Sequence, residues 1–373
     1  MTDLVVISLE AWDDVWRRNQ HLVSRLLERD PALRVLFVEP PADPLHDLVS
    51  RRRPARGLDP APAPGFEGRL LRFRAVKALP RRIDRRADER LARAVERAAA
   101  SVGIRHPLLW VNDPDGAAVA RLTGWPTLYD ITDDWAAAER ATAEIARIRD
   151  DEAWLLSHAG AVVACSPELV RRKSGGRPGS ITLIPNAVDV EAYRAPRPRP
   201  GDLPPHAAVY VGTLHTDRLD LAVCEATARA LGADGRLVLV GPNALDDTAT
   251  QRLREAGALL LGPRSRDDVI GYLQHAEVLV VPHVVTPFTE SLDPIKLYEY
   301  TAVGRPVIAT PVAGFRDAAD ADVRVAAASD FPGAVAAALA QPTPPAGRTK
   351  APVASWDERA AAMRAVIDGL ARA

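Results

Sequence analysis

Short apolar runs alternate with helical patterns along this 373-residue chain, and the alternation stops once and then restarts. Residues 4–9 read as a strand and 15–28 as a helix with apolar residues at helical spacing. Residues 35–39, 107–111, 126–130, 161–165 and 181–184 read as further strands. A turn at 112–116 leads into a helical pattern at 117–123, and Ser166 stands as the cap of a helix over 166–172. Residues 195–205 then hold Pro196, Pro198, Pro200, Pro204 and Pro205, a density that no helix interior or central strand accommodates. Strand patterns resume at 208–211, 237–240, 259–261, 278–282 and 306–309. Helical patterns resume at 219–231, 249–257, 266–275, 295–303 and 331–339. A second proline-rich stretch, 342–352, precedes a last helix over about 356–371. Such alternation builds parallel sheets covered by helices on both faces. The reading is α/β, with two doubly wound Rossmann-like domains, residues 1–195 and 206–345, facing each other across a cleft. Residues 354–373 are expected to return as a helix onto the N-terminal domain, anchored by Trp356. Ligands of open parallel sheets bind in loops beyond the carboxyl ends of the strands, so both halves should carry function there.

Composition narrows the chemistry. Lys plus Arg number 48 and Asp plus Glu 49, which gives no global field to attract nucleic acid. The arginine-rich stretches at 51–53 and 81–86 read as solvated surface, leaving peripheral membrane contact open. Cys165 and Cys224 sit in apolar surroundings and read as buried thiols, and no Cys/His cluster has zinc spacing. The first residues lack a signal-peptide pattern, and no run of about 18 apolar residues could span a bilayer. The expectation is a cytoplasmic protein, monomeric or homodimeric, with no metal site and no resident cofactor.

The most informative segment is residues 291–313, SLDPIKLYEYTAVGRPVIATPVA. Pro294 suits the entry to a helix beginning at Ile295, because its missing N–H has no helical partner there. Lys296 falls in the first turn and Glu299 one turn on, on the same face. Free amides at a helix start form an anion site, and a lysine adds a point charge suited to a diphosphate. Glu299 suits a pair of hydroxyls instead, as on a ribose. As a surface pair, Lys296 and Glu299 would be worth only a few tenths of a kcal/mol. Gly304 closes the helix before a buried strand.

Pro294-x-Lys296-Leu297-x-Glu299-Tyr300, followed by Gly304-x-Pro306-Val307-Ile308-Ala309, resembles the donor-nucleotide motif of GT-B-fold glycosyltransferases of the family-4-like, group 1 bacterial type. Val211-Gly212-Thr213-Leu214 is similar to that family's glycine loop after the first strand of the C-terminal domain. Leu237–Val240 with Gly241-Pro242 resembles its mid-domain strand, and Ile184-Pro185-Asn186-Ala187-Val188-Asp189 its turn before the linker. Tyr129-Asp130-Ile131-Thr132-Asp133-Asp134-Trp135 resembles an acidic turn of its N-terminal domain. The resemblance implies that Lys296 meets the donor diphosphate and Glu299 the nucleotide ribose. Many relatives place a sugar-contacting glutamate where this chain has Ser291, with Glu290 and Asp293 nearby. Arg218 is the candidate for the family's diphosphate-gripping arginine.

The implied activity is metal-independent transfer of a hexosyl group from a UDP-, TDP- or GDP-linked sugar to an acceptor hydroxyl. The acceptor would be a secondary metabolite, a surface polysaccharide or a lipid-linked molecule. The rival from another class is a non-catalytic nucleotide-binding partner subunit of another transferase. Donor-side candidates are Gly212, Thr213, Leu214, Gly241, Pro242, Arg264, His283, Ser291, Asp293, Pro294, Ile295, Lys296 and Glu299. Asp133 and Asp134 are candidate general bases, though either could cap the helix that starts at 135–136. His21 is a further candidate base, and Lys296 and Arg218 would stabilise the leaving diphosphate. Trp12, Arg18 and Asn19, after the first strand, are acceptor-contact candidates, with the loops at 9–20, 40–56 and 65–79 setting acceptor identity. Neither first strand leads into G-x-G-x-x-G, which disfavours a dinucleotide oxidoreductase.

Overall fold

A computed structural model describes residues 3–13, 16–49, 55–66, 68–138, 140–318, 322–342 and 352–372; Asp14, Arg51, Arg52, Arg53 and nearly all of 342–352 lie outside them. The chain divides into two compact units. One comprises Met1–Ala136, Arg140–Pro185 and Asp357–Ala373, the other Ala137–Glu139 and Asn186–Trp356.

The first unit is built on eight strands, β1 (Leu4–Ile7), β2 (Val35–Val38), β3 (Leu58–Pro62), β4 (Leu70–Arg74), β5 (Leu108–Val111), β6 (Thr127–Ile131), β7 (Ala161–Ala164) and β8 (Thr182–Leu183). Their order is β3-β4-β2-β1-β5-β6-β7-β8. All pairs are parallel except β3 with β4. The runs LVVI, VLFV and LLWV of β1, β2 and β5 are buried at every position, as expected of strands covered on both faces. β3 carries Pro60 and Pro62 and lies at the sheet edge, where a missing N–H is tolerated.

β4 lies inside the segment read from sequence as an acceptor loop, residues 65–79. Its arginines hid it. Arg72 and Arg74 both pair with the buried carboxylate of Glu39 on the next strand's exit, so a charged strand satisfies a charge at its neighbour. Helices Ala87–Ser101 and Thr142–His158 also went unread; both are rich in Arg, Asp and Glu, and the first buries mainly alanine while the second buries only Ile148, Leu155 and Leu156 beside Glu152. The helix Trp356–Arg372 runs with the first unit from Asp357 onward. Arg364 pairs with Asp30 at 2.8 Å, Arg29 with Asp357 at 3.1 Å, and Leu370 fills the space left by Gly160. Trp356 is buried, and its N–H donates to Val188 O at 3.3 Å within the second unit.

The second unit holds β9 (Ala207–Val211), β10 (Arg236–Val240), β11 (Leu259–Gly262), β12 (Val278–Val281), β13 (Val307–Ala309) and β14 (Val323–Val325). They are ordered β11-β10-β9-β12-β13-β14 and are parallel throughout. The division between units falls at Pro185/Asn186, ahead of the proline-dense stretch 195–205 that the sequence suggested as the linker. That stretch belongs to the second unit. Its prolines deny it regular structure, and side chains satisfy its backbone instead. Gln274 accepts from Arg197 N–H at 2.8 Å and donates to Ala195 O at 2.8 Å, while Leu203 is buried.

Candidate active site

In the second unit the site starts from two glycines. β9 ends at Gly212, whose φ is +149°, and β10 at Gly241, whose φ is +142°. A Cβ on Gly241 would stand 2.2 Å from Gly212 O, and one on Gly212 would stand 2.7 Å from Lys296 Nζ and 3.0 Å from Tyr210 Oη. Gly212 N–H donates to Val240 O at 2.9 Å, and Leu214 N–H to Pro242 O at 2.9 Å. The two strand exits are therefore packed backbone to backbone, and only a residue without a side chain lets Lys296 reach the end of β9. In this arrangement Gly241 and Pro242 support the glycine loop.

Lys296 comes from the helix Ile295–Val303, which begins after Pro294 in extended conformation and ends at Gly304 in the left-handed conformation. Lys296 Nζ lies 5.2 Å from the Tyr210 ring centroid, in cation–π contact. The Tyr210 hydroxyl lies 3.2 Å from Nε2 of the buried His283, whose backbone N–H donates to Thr310 Oγ1 at 3.1 Å. Arg218 sits in the turn after β9, its guanidinium 5.6 Å from the Phe288 ring centroid. Burial pushes the Lys296 ammonium down to about 8; the charge of Arg218 acts the same way and Glu299 opposes it. Burial, then Lys296 and Arg218, holds His283 well below its ordinary range, so the ring is neutral. Burial also raises the Tyr210 phenol. Two cations thus converge, and burial disfavours the charge on Lys296, an environment in which an anion is strongly attracted.

Glu299, one turn on, accepts a hydrogen bond from the Tyr193 hydroxyl at 2.5 Å. Burial raises its carboxyl, against the Tyr193 bond, Lys296 and Arg266. The turn that precedes the second unit's sheet is fixed to the same region. Asn186 N–H donates to Asp293 Oδ2 and its side-chain amide to Asp293 O, each at 2.5 Å, while Tyr298 Oη donates to Asp293 Oδ1 at 2.9 Å. Asp293 therefore positions the entry to the Lys296 helix. The Ser291 hydroxyl is fully buried and donates to Phe288 O at 2.7 Å, and Glu290 pairs with Arg316 at 2.8 Å. Arg264 is engaged by Asp202 at 2.6 Å and by Tyr272 Oη at 2.9 Å, which fastens the 195–205 stretch. The structure thus gathers Gly212, Arg218, His283, Lys296 and Glu299 and places Arg264 in another network. Tyr210 and Tyr193, which aim the lysine and the glutamate, carried no signal in the sequence because each is a lone tyrosine far along the chain.

In the first unit, Arg18 forms a buried two-bond pair with Asp130, Nε to Oδ2 and Nη2 to Oδ1, both at 3.1 Å. Asn112 Nδ2 donates to Asp130 O and Oδ2 at 3.1 Å each. Asn19 Nδ2 donates to Ser8 Oγ at 3.0 Å. Trp12 packs edge-on against Phe37 at 5.0 Å, and His21 lies edge-on to Trp16 at 5.2 Å; both Trp12 and His21 are buried. Asp134 is buried between Lys173 at 2.7 Å and Arg172 at 3.0 Å. Asp133 is half-buried and accepts from Thr132 Oγ1 at 3.1 Å. A carboxylate not singled out from the sequence also emerges. Asp113, after β5, lines a pocket walled by Ile7, Val38, Leu91 and Val119. Burial and the charge of Asp115 push it up to about 7.

Among the described residues, no group of three or more His, Cys, Asp or Glu could hold a metal ion, and no helix is long and apolar enough to cross a membrane. Residues 205–342 match the family model described as glycosyl transferases group 1. The second unit is a group 1 glycosyltransferase domain. A Bacillus subtilis (strain 168) protein named as a teichuronic acid biosynthesis glycosyltransferase, TuaH, is 24% identical over 219 residues, 54% of this chain. The match spans just over half, 55%, of that relative's length. Sucrose-phosphate synthase from Thermosynechococcus elongatus covers the whole chain at a TM-score of 0.64 and 18% identity, with 98% of its own chain matched. Anabaena HepE, solved with UDP and glucose, covers 100% of this chain and 99% of its own at a TM-score of 0.60 and 11% identity. The glycosyltransferase domain thus sits in a chain whose fold is GT-B.

Proposed function

We propose that the protein transfers a hexosyl group from a nucleotide-diphosphate sugar to an acceptor hydroxyl, without a metal ion or resident cofactor. The observation that carries this reading is Lys296. Its ammonium is half-buried at a helix start, beside a glycine loop and a second cation, Arg218. A diphosphate placed there would offset what burial costs Lys296 and meet Arg218 as a second cation, and more so as negative charge develops on the leaving group. Glu299, held by Tyr193, would take the ribose hydroxyls. UDP is the favoured nucleotide, by analogy with the HepE complex, and a glycan acceptor by analogy with the name of TuaH. In the transfer, the acceptor oxygen bonds to the anomeric carbon as that carbon's bond to the diphosphate breaks, and the hydroxyl proton passes to a base. Asp133 and Asp113 are the carboxylates of the first unit suited to that proton; Asp134 is engaged by two cations.

Calorimetric titration of the purified chain with UDP, TDP and GDP, repeated on Lys296→Ala, tests the donor site. Binding of one diphosphate that the variant loses is expected. Failure of all three to bind would refute the donor site, and binding without donor turnover by the purified chain alone would shift the reading to a nucleotide-binding partner subunit.

A further inference from the structure

One oxygen of the half-buried Glu299 carboxylate is held and the other is open. The Tyr193 hydroxyl donates to Oε1 at 2.5 Å, while Oε2 makes no hydrogen bond or ion pair among the described residues. Lys296 and Arg266 act on the carboxylate through their charge alone, and Arg266 pairs with Asp189 at 2.9 Å. The tyrosine is itself fixed. It is buried in the short helix Val190–Arg194, which Asp189 caps by accepting from Ala192 N–H at 3.5 Å. Tyr193 N–H donates to Asp189 O at 3.1 Å, and Tyr193 O accepts from Gln274 Nε2 at 2.9 Å. Burial and the charge of Glu299 hold the phenol well above its ordinary range, so it stays a donor.

An ionised carboxylate accepts hydrogen bonds and donates none. Pinned at Oε1, Glu299 has only what a ligand brings for Oε2. A ribose brings two neighbouring hydroxyls and a 2-deoxyribose brings one. A site built to accept from a hydroxyl rejects the analogue that lacks it, because a desolvated polar group is then left unpaired.

We propose that Tyr193 is a positioning residue: its hydroxyl fixes one oxygen of Glu299 and turns the other toward the sugar of the nucleotide, so that the donor site takes diphosphates of ribonucleosides and rejects those of 2-deoxyribonucleosides. TDP-linked sugars are thereby excluded as donors. The proposal rests on the placement of Glu299 against the ribose in the function proposed above.

The test is calorimetric titration of the full chain with UDP and 2′-deoxy-UDP at pH 6 and pH 8, repeated with GDP and 2′-deoxy-GDP. In the natural chain the deoxy compound should bind at least about tenfold more weakly at both pH values, the loss of one hydrogen bond to a charged group. Lys296 titrates near the upper pH but weakens both compounds alike, so the ratio of their Kd values is unaffected. Tyr193→Phe keeps the ring and removes the donor. Without that bond the carboxyl stays protonated to higher pH. The ratio should then fall to about threefold or less at pH 6, the worth of a neutral hydrogen bond, and climb back by pH 8. Circular dichroism checks that the variant keeps its fold. A natural chain that binds both compounds equally would overturn the proposal. So would Tyr193→Phe with the natural ratio at both pH values, the outcome of a ring that only fills space. Glu299→Ala separates this from the site beneath it. Its ratio should be about one, since no charged acceptor remains. A ratio that survives in Glu299→Ala, or no binding of either ribonucleotide, would refute the donor site itself.

Discussion

Replacing Lys296 by methionine keeps most of the side-chain volume and removes the charge. The ammonium is held at about 8, against an ordinary 10.5. The unfolded chain therefore binds more protons than the folded one between about pH 8 and 10.5, and stability rises with pH across that window. Below pH 8 the native state carries the full cost of the half-buried charge. The shift corresponds to an upper bound of about 3 kcal/mol, reduced by the residue's partial exposure. The variant should therefore be more stable than the natural chain at pH 7, by about 1–2 kcal/mol, with the difference closing by pH 10.5. Binding should move the opposite way. Losing a charge-assisted contact to diphosphate costs about 1.5–3 kcal/mol, or roughly 10- to 150-fold in Kd, and leaves nucleoside affinity unaltered. In the natural chain only about a tenth of Lys296 is protonated at pH 9, so Kd for UDP should rise about tenfold from pH 7 to pH 9. In the methionine variant that dependence should vanish. Thermal melts and calorimetry with UDP and uridine at pH 7, 8 and 9 read all three effects. A variant that weakens uridine as much as UDP, or that keeps the natural pH dependence, would refute the placement of Lys296 against the diphosphate.

Gly212→Ala should fold with a loss of about 1–3 kcal/mol for a side chain at positive φ, and should weaken UDP binding by displacing the Lys296 tip; melts and titration check both. Asp130→Ala leaves Arg18 buried without its carboxylate and should cost about 3–5 kcal/mol, read by urea unfolding. Asp113→Asn should fold normally and flatten the rise of transfer rate through pH 7, visible in a pH profile of donor turnover; an unchanged profile would remove Asp113 from the list of bases.

The donor helix was legible because its signals are local. Pro294, Lys296, Glu299 and Gly304 lie within eleven residues, and each has a role tied to its position in one helix. The Ser166 cap was legible for the same reason, and its hydroxyl accepts from Leu169 N–H at 3.1 Å. What surrounds Lys296 was not legible. Tyr210 ends one strand, His283 follows another, and Tyr193 lies upstream of both, so only the sheet order β10-β9-β12-β13 brings them together. The boundary between units was misplaced for a related reason. Proline density marks the absence of regular structure, and it carries no information about the Gln274 and Leu203 contacts that tie that stretch to its own unit. β4 was missed because the burial of Glu39, which makes Arg72 and Arg74 acceptable in a strand, lies some thirty residues away.

The first unit is discontinuous in sequence, and this sets an order of events at the ribosome. Its sheet is complete once β8 has emerged, but the helix that carries Arg364 to Asp30 is translated only after the whole of Asn186–Trp356. At roughly 5–20 residues per second, that interval is about ten to thirty seconds. Throughout it the face of Leu4, Leu26 and Leu33 against which Ile367 will lie has no cover, and only near its end, once β14 has emerged, does the second unit have all its strands. The nascent chain therefore completes the strands of its second unit before the first unit is covered, and a helix made after them closes over a strand made before them.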